Sequence, residues 1–397
     1  MKFAKRVKKI KPSPTLAITA KANALRLEGR DIISFGAGEP DFDTPVNIRE
    51  AAVSAIRDGF TRYTPVGGID ELKDAIIEKF RRDNRLIYKN SEIVVSCGAK
   101  HVLYNIAQAM FDEGDEVIIQ SPYWVSYPDI VLLSGAIPSI LDTKERDGFK
   151  ITPGQLEKVI NKRTRALIIN SPSNPTGSTY TYAELKALAE VIVEKNILVI
   201  SDEIYEKIVY DKFVFSSIAM VSKEVKRLSV VVNGVSKSYA MTGWRIGYAA
   251  GSEDIISAVT KIQSQNTSNP TSISQKAAVE ALNGDQSPIG EMVEAFSERR
   301  NFIVDALNSM DGVNCMNPDG AFYAFPDVSS FYGRAYDGMK LTGSASFAEY
   351  LLDAANIAVV PGIAFGSDDH IRLSYATSMK NIREGITRIE EALKNLK

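Results

Sequence analysis

The chain has 397 residues, and its 47 basic and 49 acidic side chains leave a formal net charge of −2. With 45% apolar residues it is an ordinary globular protein, too long for one small core and without the basic footprint that nucleic acid or an anionic membrane requires. No stretch approaches the roughly 18 consecutive apolar residues of a membrane span. Cys97 and Cys315 alone make no disulfide framework, and His101 and His370 without clustered cysteines give no expectation of a His/Cys metal site.

In chain order, the basic start MKFAKRVKKIKPSPT has its apolar residues interrupted by Lys and Arg, unlike a secretory leader. A cytoplasmic protein is the expectation. Short apolar, β-branched runs then alternate with helical patterns: EIVVSCG (92–98), EVIIQSP (116–122), RALIINSP (165–172), ILVISDE (197–203) and LSVVVNG (228–234). Between them lie KHVLYNIAQAMF (100–111) and YAELKALAEVIVEK (182–195). Strands apolar on both faces and separated by helices predict an α/β fold, its mainly parallel sheet sandwiched by helices. After these come a helix, GAFYAFPDV, a helix, IAVVPG, HIRLSYA and a last amphipathic helix, the pattern of a smaller α+β unit. The expected division is a large domain over residues 48–285 and a discontinuous small domain built from 1–47 and 286–397.

In such a sheet ligands bind at the carboxyl ends of the strands, and here each strand end supplies a different chemical type. Gly98-Ala99-Lys100 opens a helix, leaving free N–H groups suited to phosphate, although most such turns bind nothing. It is neither G-x-G-x-x-G nor a P-loop, and FGAGEP (35–40) is broken as a glycine pattern by Glu39-Pro40. Trp124 offers either core packing or a stacking plane. The loop SPSNPTG (171–177) holds Asn174, which turn chemistry alone could explain. Asp202 follows the buried run ILVI directly, so it needs a partner, unless it only caps the next turn. Tyr205 supplies a phenol. The fifth strand leads to Ser236 and Lys237, with Arg245 downstream. A desolvated lysine beside another cation becomes a nucleophile and base. Phosphate donors, an aromatic plate, an amide, a carboxylate, a phenol, a lysine and an arginine together are the set that pyridoxal phosphate needs.

The segments SPSNPTG, SDEIYE and SKSYAMTGWRIGYAAG resemble the signature segments of the fold-type I, class I/II aminotransferases. AGEPDFDTP (37–45), YTPVGG (63–68), SPYWVSYPD (121–129) and HIRLSYA (370–376) extend the resemblance over essentially the whole chain. It is nearest to the prokaryotic aspartate and aspartate/prephenate branch. The resemblance implies pyridoxal 5′-phosphate held covalently by Lys237, with Asp202 on its ring nitrogen, Tyr205 and Asn174 on its phenolic oxygen and Trp124 stacked on the ring. Ser236, Arg245 and the backbone of Gly98, Ala99 and Lys100 would hold the phosphate. Tyr63 would reach it from the second subunit of a homodimer. Arg372 would clamp the substrate's α-carboxylate near Gly38. Lys100, Asn174 and Trp124 would also face substrate, and Thr15 would belong to a segment that closes over it.

The implied reaction is ping-pong transfer of an amino group between an L-amino acid, aspartate or glutamate in this branch, and a 2-oxo acid. No motif places a second-subunit arginine on the distal carboxylate, and Arg299 and Arg300 are read as surface charges on a helix. Prephenate-, aromatic- or alanine-preferring aminotransferases and β-lyases share the cofactor set. A transcription regulator of this fold carries an added N-terminal DNA-binding domain, whereas this chain is expected to enter the fold's own N-terminal segment at once and has a slightly negative net charge.

Overall fold

A computed structural model describes residues 1–12 and 14–396. Seven strands form the main sheet: β1 Ile93–Ser96, β2 Glu116–Ser121, β3 Ile137–Asp142, β4 Thr164–Asn170, β5 Leu198–Asp202, β6 Ser229–Gly234 and β7 Gly247–Ala250. They lie in the order β1-β7-β6-β5-β4-β2-β3. Only β7 runs against the others. Six strands therefore end on one edge of the sheet, and β7 starts there.

The five strands expected from the sequence are present, and the reason is their composition. The runs Val230-Val231-Val232 in the central β6 and Val94-Val95 in β1 are apolar and fully buried, as strands covered on both faces are. The sequence reading missed two strands. The sequence of β3, IPSILD, carries a proline and is fully buried at only one position, as an edge strand tolerates. The sequence of β7, GYAA, is short and built from small residues. Its Gly247 is required by contact: a Cβ there would lie 2.2 Å from the backbone nitrogen of Ala99, so a side chain would drive the first turn of helix Ala99–Met110 off the sheet.

The N- and C-terminal segments meet beyond this edge. Ile33–Ser34 pairs in parallel with Ile357–Ala358, and Val360–Pro361, Ile371–Ser374 and Tyr323–Ala324 form a three-stranded antiparallel sheet. Phe35, fully buried, packs on Gly385 of helix Met379–Lys394 so closely that a Cβ on the glycine would meet its ring at 2.4 Å. Ile33, Phe35, Phe296, Phe322 and Leu373 share one apolar core, which sets Arg372, between its buried strand neighbours, against the open edge of the main sheet. Among the described residues no helix is long and apolar enough to cross a membrane.

Candidate active site

A cavity of about 410 Å³ opens at this edge, and its walls are the strand ends. Thr15, Gly38, Ala99, Lys100, Trp124, Asn174, Asp202, Tyr205, Ser236, Lys237, Arg245 and Arg372 all line it. Residues spread over the whole sequence meet here because the parallel strands deliver their carboxyl ends to one place. Gly98 stands just behind the wall as the N-cap of helix Ala99–Met110, at φ 90°. A Cβ on Gly98 would lie 2.4 Å from Nη2 of Arg245, so the glycine is what lets the guanidinium lie across the helix start. Tyr63 is apart from this group, with its ring 91% exposed.

Lys237 follows β6, and its ammonium donates to the backbone carbonyl of Gly38 and lies 6.0 Å from the centre of the Tyr205 ring. Burial pushes the amine down to about 8; Glu39 opposes the shift, while Arg372 and Arg245 add to it. A large fraction of the amine is then neutral near pH 8, which a solvated lysine does not achieve.

Asp202, the last residue of β5, is buried to 4% exposure. It accepts from Tyr127 Oη at 2.6 Å and from the Ile204 N–H at 3.3 Å. Burial raises its carboxyl to about 6, and these two donors limit the rise. The turn-capping alternative is thus realised together with a partnered carboxylate facing the cavity. Asn170 donates to the Asp202 carbonyl at 3.0 Å and accepts from the Asn174 N–H at 2.8 Å, tying two strand ends into one unit.

Arg372 is 2% exposed and has no carboxylate partner among the described residues. Its Nη1 donates to Asn174 Oδ1 and its Nη2 to the Gly36 carbonyl, both at 2.9 Å, and its plane lies over the Tyr323 ring at 4.5 Å. Burial lowers its pKa from the ordinary arginine value. A buried guanidinium with only neutral partners is a site that favours an incoming anion. Tyr323 also shares a 2.7 Å hydrogen bond with Tyr205, so the two phenols hold each other against the cavity wall. On the opposite flank, the Lys100 ammonium sits 4.9 Å from the Trp124 ring centre, its pKa lowered by burial and then by Arg245. Thr15 and Thr19 enter from helix Pro14–Leu27.

The sequence reading missed Tyr127, Glu39, Thr242 and Tyr323, which also line the cavity. Tyr127 carried a signal: it lies three residues after Trp124 in SPYWVSYPD. Glu39 was read only as the residue that breaks FGAGEP, yet it accepts from Thr242 at 2.6 Å and faces Lys237. The reading of Arg299 and Arg300 as surface charges is corrected. Arg300 is 2% exposed and reaches Asp211 at 2.6 Å over the Tyr210 ring, while Arg299 pairs with Asp41 at 2.6 Å between Phe42 and Phe296. The helical period places Arg300 on the core face, and a short ion pair compensates it.

The family signature of aminotransferase class I and II matches residues 30–389. The chain belongs to the class I and II aminotransferases. It is a pyridoxal-phosphate-dependent enzyme that moves an amino group between an amino acid and a 2-oxo acid. Among its relatives, an aspartate aminotransferase of Bacillus sp. strain YM-2 is 52% identical over 99% of both chains. An aspartate/prephenate aminotransferase of Nitrosomonas europaea is 52% identical over 99% of this chain and 100% of that one. Of solved structures, the aspartate aminotransferase of Rhizobium meliloti superposes with a TM-score of 0.97 at 45% identity over the full length of both. That of Thermus thermophilus with maleate gives 0.93 at 41% identity, over 99% of this chain and 100% of that one. The aminotransferase reading of the sequence and its α/β, mainly parallel fold therefore hold.

Proposed function

We propose that this aminotransferase takes acidic amino acids, aspartate or glutamate, as donors, with pyridoxal 5′-phosphate bound covalently to Lys237. The observation that carries the site assignment is the Lys237 amine, pushed down to about 8 in a cavity that also presents the buried Asp202 carboxylate and the buried, anion-seeking Arg372. The residues fit the cofactor. Gly98 and Gly247 keep clear a cradle of backbone N–H groups beside Arg245 and Ser236 that suits a phosphate. Asp202, kept charged by Tyr127, suits a protonated ring nitrogen, and Asn174 and Tyr205 offer donors for a phenolic oxygen.

When bound, pyridoxal phosphate supplies an electron sink for the pair left behind when a substrate loses its α-proton. The protein's share is positioning and proton handling. Arg372, held by Asn174 and Gly36, fixes the substrate α-carboxylate through two parallel charge-assisted hydrogen bonds and so orients the Cα–H bond. The Lys237 amine, which burial leaves largely neutral near pH 8, would take up and carry the substrate's α-proton. Tyr205 and Tyr323 brace that wall, and Trp124 supplies the stacking plane.

Acidic specificity is supported by Lys100, whose ammonium lies across the cavity flank where a distal carboxylate can reach it, and by the aspartate in the names of the relatives. The Thermus neighbour holds maleate, a four-carbon dicarboxylate. Prephenate as a further acceptor rests on relatives named aspartate/prephenate aminotransferase, the Nitrosomonas protein among them. We assign residues 48–285 as the cofactor-binding domain and 1–47 with 286–397 as the small domain. We also assign a homodimer in which the exposed Tyr63 ring completes the neighbouring subunit's phosphate site. The unpaired Cys97 and Cys315 fit a reducing cytoplasm.

Single-turnover spectra with aspartate, glutamate, alanine and phenylalanine, without any oxo acid, test the substrate claim. Aspartate and glutamate should convert the cofactor fastest, and Lys100→Gln should slow them about ten- to hundredfold while leaving alanine nearly unchanged. A faster reaction with phenylalanine or alanine would remove the acidic assignment. Release of ammonia and pyruvate from a sulfur amino acid without an acceptor would instead indicate a lyase.

A further inference from the structure

Away from the cavity, Glu145, Asp327 and His370 come together from three separate parts of the chain. One ligand atom from each lies within 4.8 Å of the others. Glu145 begins a 3-10 turn in the loop after β3, Asp327 follows GAFYAF, and His370 immediately precedes the strand that carries Arg372. We propose that this cluster is a binding site for one divalent transition-metal ion of the zinc class, with Glu145, Asp327 and His370 Nε2 as ligands.

The histidine is the observation that points to a ligand. His370 is 6% exposed, and its Nε2 is buried without a hydrogen-bond partner. The nearest carboxylate oxygen, on Glu145, is 3.8 Å away, too far for a hydrogen bond. That distance falls between the cis and trans spacings of two ligands each about 2.1 Å from a shared ion. The ring is also fixed. It stacks on Phe325 at 4.8 Å and 4°, and its Nδ1 is 2.9 Å from Ser367 Oγ. With Nδ1 donating to Ser367, Nε2 presents its lone pair to the carboxylates, the arrangement by which metal-ligating histidines are oriented.

Both carboxylates are prepared in the same way. Glu145 Oε1 accepts from Asn314 at 2.9 Å and Asp327 Oδ1 from the Ser329 N–H at 2.8 Å, which leaves Glu145 Oε2 and the second oxygen of Asp327 available. Among the described residues, neither carboxylate is paired with a lysine or arginine. Two carboxylates and an imidazole around a partly enclosed point form a mixed hard and borderline donor set, which suits zinc or manganese better than a thiol-seeking ion. Three protein ligands leave a position for water. An ion here would tie the loop after β3 to the segment leading into Arg372, with no part in the chemistry at Lys237.

The test is a zinc titration of the cofactor-loaded enzyme after dialysis against EDTA, followed by equilibrium dialysis and metal analysis. One zinc per chain should bind in the micromolar range or tighter and raise the thermal midpoint. Glu145→Gln and Asp327→Asn each keep an oxygen for Asn314 or Ser329, so the fold should persist, as an unchanged cofactor spectrum would report. Each should weaken zinc by more than the roughly 10–100-fold that an outer partner costs. No uptake by the wild-type enzyme, or equal uptake by both variants because zinc has gone to Cys97 and His101, overturns the proposal.

Discussion

Lys237→Ala is expected to lower transamination by at least about 10⁴-fold, the scale seen when a residue acting as both nucleophile and base is removed. Among the described residues, the substitution takes away the amine that the strand ends bring beside Asp202 and Arg372, so neither covalent capture of the cofactor nor transfer of the α-proton has a substitute. Lys100 cannot serve, since its ammonium is committed across the Trp124 ring on the cavity flank. The phosphate cradle, Asn174 and Tyr205 remain, so the variant should still retain pyridoxal phosphate without a covalent bond. Steady-state rates and the mass of the intact protein check both halves. Turnover within tenfold of the wild type would refute the role given to Lys237.

The second large effect is expected at Arg372. Alanine would leave Asn174 Oδ1 and the Gly36 carbonyl without donors in a buried site, confusing a binding loss with a folding loss. Arg372→Lys keeps the charge but not the planar fork, so it can hold only one carboxylate oxygen at a time. A drop of about 100-fold in kcat/KM is expected, most of it in KM, because the lost bond holds substrate in both ground and transition states. Steady-state kinetics with aspartate decide this, with the thermal midpoint as a control for packing. An unchanged KM would mean that Arg372 only braces Asn174 and Tyr323.

Much of this site was legible in the sequence, and the reason is geometric. A parallel sheet converts polar residues at strand ends, which are local signals, into neighbours in space. Asp202 after ILVI, Asn174 after the third run and Lys237 after the fifth could be read without pairing information. What could not be read were partners that no local pattern joins. Tyr127 reaches Asp202 across 75 residues and Tyr205 reaches Tyr323 across 118, and no pattern within either segment points to the partner in the other. The Glu145, Asp327 and His370 cluster is similarly dispersed, and a search for His/Cys spacing passes over it. The two missed strands lacked a local signal for other reasons: one carries Pro138 at a solvent-facing edge, and the other is four residues long and built mostly from small residues.

The central claim is that the Lys237 amine, lowered by burial, captures the cofactor. Its most direct test is to mix cofactor-free protein with pyridoxal phosphate over a range of pH, trap the adduct with borohydride and map the modified peptide. Because only the neutral amine attacks, and its folded value of about 8 lies below that of a free lysine, the capture rate should rise about tenfold per pH unit up to about 8 and then level off. The label should fall on Lys237 alone. Label on Lys100 or another lysine, or a rate still climbing toward pH 10 as for a solvated amine, would contradict the account.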